Sequence, residues 1–318
     1  MAVQLDRKGG KKAIRTGFGE GLLMAAERDP SVVGLCADVT DSVGMGGLRD
    51  RYPERFVQMG VHEQLMVAVA AGMALAGKRP FAASYAVFSP GRSWEAVRTN
   101  VCLNDAPVRV VGSHAGVSVG PDGASHQALE DIAIMRSLPN MTVVVPCDAT
   151  EARKAALALA ELDSPSYLRL ARPKTEIITG EETPFRIGRA ETFRDGRDCA
   201  IIACGLMVPV ALRAADELSS EGLECRVINC HTIKPIDRET VLSAAETCGR
   251  IVTCEEHQVA GGLGSAVAEI VVEANPVPMA MVGVRDRFGQ SGRDSELLKE
   301  YGLDVEDIKK AVRKICSK

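Results

Sequence analysis

This sequence predicts two doubly wound α/β domains, the second smaller than the first, and three observations predict it. Apolar strand-like runs alternate with helical stretches from the N-terminus onward, the pattern of a parallel sheet covered on both faces. At 318 residues the chain is long enough for two domains, each with its own core. Residues 173–197, with Pro173, Pro184 and several charges, break the rhythm before it resumes on a shorter unit.

The elements follow in order. A helix is expected near Lys11 to Ala26, then strands at Val32 to Cys36 and Phe56 to Met59, and a helix opened by Glu63. Next come a strand at Pro80 to Tyr85, a helix near Ser93 to Cys102 and a strand at Val108 to Gly112. After a Gly-rich loop, a helix near Gln127 to Arg136 leads to the strand Thr142 to Val145, a helix near Thr150 to Ala160 and the strand Ser166 to Leu170. In the second unit, strands are expected at Ala200 to Ala203, Arg226 to Asn229, Arg250 to Thr253 and Met279 to Val282, with a last helix at Val305 to Ile315. The first domain is therefore set at residues 1–175, a linker at 176–197 and the second domain at 198–318.

With 38 basic against 42 acidic residues, nothing favours nucleic acid or an anionic membrane as a partner. The longest apolar run, residues 65–76, is shorter than the roughly 20 residues a bilayer crossing needs. Residues 1–12 carry neither an apolar signal core nor a transit pattern, so a cytoplasmic location is expected. Ten cysteines without a Cys-x-x-Cys pair read as reduced core thiols, and five scattered histidines lack metal-ligand spacing.

Glu63 stands at the head of those twelve apolar residues. A helix apolar on every side is expected to be buried on every side, where an unpaired charge costs several kcal/mol, about the worth of a lost hydrogen bond or more. The helix end, a protonated partner or its own protonation would each hold it, and the last two describe a proton-transfer group. The alternative is a plain first-turn acid that reaches water.

The loop from Gly112 to Gln127 leaves the carboxyl end of a strand, where open α/β sheets bind ligands. It gathers His114, Asp122 and His126 among small residues, which suits a polyhydroxylated ligand. A turn followed by a helix capped by Ser125 is the competing account, and it leaves both histidines idle. Tyr85, Phe88 and Trp94 cluster at one strand-to-helix junction and could stack on a flat heterocycle, or simply fill the core. Arg172, at a strand end, suits an anion or a surface ion pair. Gly261 to Ser265 reads as close helix-to-strand packing in preference to an anion cradle, and Gly44 to Gly47 as a flexible loop.

Taken together, these residues resemble the C-terminal half of transketolase over nearly the whole chain. The resemblance rests on Ala37-Asp38-Val39-Thr40, Gly60-Val61-His62-Glu63-Gln64, the stretch from Gly112 to Asn140, Arg172-Pro173, and the turn from His231 to Asp237. It implies a thiamine-diphosphate pyrimidine-binding domain followed by the smaller transketolase C-terminal domain. It assigns Glu63 to a ring nitrogen of the aminopyrimidine, with His126 as a second catalytic group. Asp38, Tyr85, Phe88 and Arg92 would line the cofactor pocket, Phe88 by stacking. His114, Asp122, His126, Gln127 and Arg172 would meet the sugar, with His114 and Arg172 toward its phosphate. A two-carbon ketol unit would pass from a ketose phosphate to an aldose.

Two departures stand out. Pro121 replaces an acid usual before the Asp-Gly pair, and Phe88 to Arg92 runs one residue longer than in animal enzymes. The family's Gly-Asp-Gly motif, which grips the divalent cation, is absent. The resemblance therefore implies a split enzyme, an α2β2 assembly in which a partner subunit carries the diphosphate and most of the Mg2+ or Ca2+ site. A 2-oxo-acid dehydrogenase β subunit, a deoxyxylulose-phosphate synthase part and a non-catalytic regulatory subunit remain as alternatives.

Overall fold

The computed structural model of the protein describes Ala2, Val3, Leu5 and residues 10–317. Met1 and Lys318, the outer bounds expected for the two domains, lie outside the described residues.

The first sheet has seven strands in the order Thr232–Lys234, Thr142–Val144, Ser166–Ala171, Arg109–Ala115, Arg79–Tyr85, Val32–Cys36 and Phe56–Gln58. All neighbours run parallel except Thr232–Lys234, which adds antiparallel to one edge. Strands such as Val32–Cys36 and Arg109–Ala115 are buried at every position, as a sheet covered on both faces requires. The second sheet orders Met279–Val284, Ile251–Gln258, Cys199–Ala203, Cys225–Asn229 and Glu191–Arg194, the last antiparallel. Both units are doubly wound, as expected.

The helix Ile14–Arg28 crosses Ala149–Glu161 at very short range. A Cβ on Gly17 would lie 1.8 Å from the Ala149 carbonyl oxygen, and one on Gly21 2.4 Å from that of Arg153. Glycine at these two positions is what lets the backbones meet.

Several boundaries shift. Lys11–Ala13 forms a strand against Lys174–Glu176, so the first helix starts only at Ile14. The presumed connector thus supplies two strands, Lys174–Glu176 and Glu191–Arg194. Gly44 to Gly47 is a packed turn and not a loose loop: Gly46 opens the helix Gly46–Arg51, and a Cβ on Gly44 would lie 2.4 Å from the Arg15 carbonyl oxygen. The helix expected from Gln127 begins at Asp131, because Gln127 is buried in the preceding loop, where its amide holds carbonyls. Ser125 caps nothing; its hydroxyl lies 2.9 Å from His126 Nδ1.

The helix Glu63–Leu75 corrects the expectation of burial on every side. Met66, Val67, Ala70, Ala71 and Ala74 are buried, whereas Val61 just before it, Leu65 and Leu75 are 63%, 52% and 65% exposed. One face packs on this chain's own sheet and the other is left apolar and bare.

All ten cysteines are free thiols, nine of them buried. Burial pushes several of them up, Cys102 to about 11, and so keeps them protonated. No helix among the described residues is long and apolar enough to cross a membrane.

The two units meet across buried acids. Glu151 accepts Cys147 N–H at 2.7 Å and Asn229 Nδ2 at 2.7 Å, joining the first unit to the second. Glu255 takes the Leu263 and Gly264 N–H groups, both at 2.7 Å. The Gly261 to Ser265 turn is therefore close packing, with a carboxyl group of the chain itself on its amides. Burial raises Glu151 and Glu256 to about 7 and Glu255 to about 8. A carboxyl raised in the folded state stabilises fully below its ordinary value of 4.5 and loses that contribution as pH climbs through the folded value. Buried His231 and His257, lowered by burial to about 3 and about 4, act in the acid window below 6.5. Between pH 6.5 and 8 the carboxyls set most of the slope, so urea unfolding should show stability falling by roughly a few kcal/mol. A flat or rising profile there would mean that these acids are already ionised in the fold.

Candidate active site

The parallel strands of the first sheet all end on one edge, and the expected site residues lie along it. The chain reverses its winding between Val32–Cys36 and Arg79–Tyr85, the switch point at which such sheets bind ligands. Asp38 follows the first of these strands and Tyr85 ends the second. His114 is on the next, Arg109–Ala115, and Arg172 follows Ser166–Ala171.

Glu63 is 2% exposed at the first turn of its helix. Its Oε2 pairs with Arg92 Nη1 at 3.1 Å, and its Oε1 lies 3.4 Å from the Ser84 hydroxyl. The charge is thus held by a fixed cation, half exposed, and not by a partner that gives up its proton. The same guanidinium lies 4.8 Å from the centre of the Phe88 ring. One flat group bearing N–H donors spans the aromatic face and the buried carboxylate. A planar aminopyrimidine, with a ring nitrogen toward the acid and a face toward the ring, has the same two requirements. These residues fit that group.

Around this centre the rings form a chain. Tyr85 and His114 lie 4.3 Å apart, Tyr85 and His126 6.2 Å, and Phe88 and His126 5.3 Å edge to face. Trp94 does not join them; its indole N–H donates to the Ile134 carbonyl and its partly buried ring packs against the core. Asp38 and Asp122 sit exposed on the same edge, but no hydrogen bond or ring contact among the described residues ties either to the cluster. Gln58 instead accepts the Asp38 N–H at 2.8 Å.

Two of these residues carry backbone strain. Asp38 and His114 have φ of 61° and 56°, a region non-glycine residues seldom adopt. His114 is buried against Ser113, whose hydroxyl lies 2.9 Å from Nδ1. Burial, then the Arg15 and Arg172 charges, push its pKa down to about 3, so the ring is neutral at working pH.

Arg15 is the residue that sequence reasoning missed. Its Nη1 donates 2.5 Å to the Arg172 carbonyl, and Arg172 Nη1 donates 2.7 Å to the Val119 carbonyl. Neither forms an ion pair with an acid among the described residues; each gives a guanidinium N–H to a backbone carbonyl instead. Burial and the Arg172 charge both lower the Arg15 pKa. Two cations beside a neutral histidine make a place for an anion. An arginine in the first turn of a helix carries no sequence signal of this.

No group of three or more potential metal ligands exists among the described residues.

Comparison with known proteins gives the family. Residues 10–177 match the transketolase pyrimidine binding domain and residues 188–308 the transketolase C-terminal domain. A protein of Methanocaldococcus jannaschii described as a transketolase C-terminal section is 42% identical over 304 residues, 95% of this chain and 95% of its own length. A 6-deoxy-6-sulfo-D-fructose transketolase subunit of Clostridium sp. is 38% identical over 305 residues, 96% of this chain and 95% of its own. A solved split gene transketolase, an inactive beta4 tetramer, superposes with a TM-score of 0.90 at 41% identity, covering 96% of this chain and 98% of that one. The chain belongs to the transketolase family, as a counterpart of the C-terminal subunits of split enzymes, with the family's pyrimidine-binding and C-terminal domains.

Proposed function

We propose that the chain is the C-terminal subunit of a thiamine-diphosphate-dependent transketolase that moves a two-carbon ketol unit from a ketose phosphate to an aldose. The observation that carries this reading is the buried Glu63 carboxylate, joined to the Phe88 ring through one flat cation. Thiamine diphosphate, when bound, supplies the carbon that bonds to the ketose carbonyl and carries the fragment. Glu63 holds a proton at a pyrimidine ring nitrogen, and its burial keeps water from competing for it. Phe88 lies against the ring face, Tyr85 and Arg92 line its border, and Asp38 supports its polar edge.

His126, Asp122 and Gln127 meet the sugar hydroxyls, and neutral His114 offers a directed donor and acceptor. His126, at the ring cluster, is placed to take or return a hydroxyl proton. Arg15 and Arg172 bind the phosphate.

A partner subunit holds the diphosphate and its Mg2+ or Ca2+, a reading supported by the relatives of matching length that are described as transketolase C-terminal sections or subunits. The bare apolar face at Val61, Leu65 and Leu75, beside Glu63, is where the assembly closes, as an α2β2 complex. The purified chain with thiamine diphosphate and Mg2+ should show no ketol transfer, and addition of the partner should restore it. Full transfer by the chain alone overturns the split assignment.

Phosphorylated donors such as xylulose 5-phosphate suit the two arginines. Sulfonated sugars are a second reading, favoured by the likeness to the 6-deoxy-6-sulfo-D-fructose transketolase subunit, because a sulfonate meets the same two cations. Parallel assays of both donor classes separate the readings.

A further inference from the structure

Residues 116–127, which carry Asp122, His126 and Gln127, consist of two short turns, Val117–Asp122 and Ala124–His126. Neither turn is long enough to hold its own position: a few bonds, such as Gly123 N–H to the Gly120 carbonyl and His126 N–H to that of Gly123, close within the loop, and the other backbone groups need partners beyond it. Gln127 Nε2 donates to the carbonyls of Val117 at 3.0 Å and Gly120 at 3.3 Å. Arg172 takes the Val119 carbonyl. The Ser118 N–H goes to Glu256 Oε1 at 2.6 Å, and Glu256 belongs to the second sheet, on Ile251–Gln258.

That carboxyl is pressed into the loop. A Cβ on Gly116, where φ is 89°, would lie 2.1 Å from the Glu256 carboxyl carbon. Glu256 is 3% exposed, and its Oε2 has no hydrogen-bond partner among the described residues. Its strand is fixed to the first domain by Arg169 Nη2 on the Glu256 carbonyl at 2.8 Å and by Gln258 N–H on the Leu129 carbonyl at 2.8 Å. A second tie from the second domain to the loop is the Gln290 carbonyl, which accepts from Gln127 Nε2 at 2.9 Å.

A half-satisfied buried acid is a costly way to join two domains, and apolar packing would do that at lower cost. We propose that Glu256 is a positioning residue of the sugar site: through the Ser118 N–H it sets where Asp122 and His126 stand against Tyr85 and Phe88. The C-terminal domain then shapes substrate binding without touching substrate. This rests on the assignment of the loop to the sugar made above.

The tie needs an oxygen at the right reach. Burial lifts the acid to about 7, where protonated and ionised forms are both present, and an oxygen of either form accepts the Ser118 N–H. Glu256→Gln keeps the oxygen and the length, whereas Glu256→Asp keeps the charge and is one carbon short.

The test uses the reconstituted complex and, separately, hydrogen exchange on the purified chain. Glu256→Gln should leave the KM for xylulose 5-phosphate within about twofold, and Glu256→Asp and Glu256→Ala should raise it about 10- to 100-fold, the effect of a displacement of about 1 Å. Thiamine diphosphate affinity, read by titration calorimetry, should stay the same in all three. Exchange protection across residues 116–127 should persist in Glu256→Gln and be lost in Glu256→Asp, which also serves should Glu256→Ala fail to fold. Unchanged protection in Glu256→Asp, a loosened loop with unchanged KM, or Glu256→Gln failing as badly as Glu256→Asp overturns the proposal. Exchange needs no activity, so absence of ketol transfer in the parent complex would sink the functional reading while the loop tie is still decided.

Discussion

Glu63→Gln in the reconstituted complex is expected to lower kcat by about 10²- to 10⁴-fold, the range for loss of a positioned proton-transfer group. Glutamine keeps the size and one acceptor oxygen, so the Ser84 contact and the packing around the first turn survive. What disappears is the negative charge that favours a proton on the pyrimidine nitrogen. Arg92, half exposed, turns to water when its ion partner is removed. Taking an ionised group out of a buried site relieves desolvation, so the melting temperature should hold or rise. A regulatory subunit that keeps only the fold would show the same melting behaviour with unchanged kcat. The two readings therefore separate on kcat alone.

The second large effect is expected at the phosphate end. Arg15→Ala and Arg172→Ala should each raise the KM for a phosphorylated ketose by roughly 10- to 100-fold, with kcat changed far less. Hydrogen bonds to a charged group contribute about 1.5–3 kcal/mol, which converts to that range. An unphosphorylated ketose should lose little with Arg15→Ala. Arg172→Ala also frees the Val119 carbonyl, so a modest loss with both sugars is expected there. Equal losses for both sugars with Arg15→Ala would mean that this arginine supports structure and not the anion.

Much of this was legible in the chain. Val32–Cys36 and Ser166–Ala171 are runs of buried residues whose ends the sequence marks clearly, and Asp38 and Arg172 of the candidate site follow those ends. The ring cluster was legible in part: Tyr85, Phe88, His114 and His126 do meet. Other features depend on contacts far apart in sequence. Thr232–Lys234 pairs with Thr142–Val144 across the domain boundary, and no local pattern encodes that pairing. Arg15 reaches Arg172 only once the sheet has brought both to the same edge.

The helix Glu63–Leu75 shows a different limit. Apolar residues on every side signal burial, but they do not say whether this chain or another provides the cover. Half of that expectation holds here, at Met66, Val67 and Ala70, and the exposed half points outward beside the catalytic candidate. The loop after Gly112 shows a third limit. Its hold comes from side chains, Gln127, Arg172 and Glu256, at positions that hydropathy cannot reveal.

The central claim is that Glu63 meets the pyrimidine ring of a coenzyme shared with a partner subunit. A crystal structure of the complex with thiamine diphosphate tests it most directly. The account predicts the Glu63 carboxylate about 2.6–3.2 Å from a pyrimidine ring nitrogen, with Phe88 against the ring face. A pyrimidine ring docked elsewhere, or Glu63 turned to open solvent in the loaded complex, would contradict it.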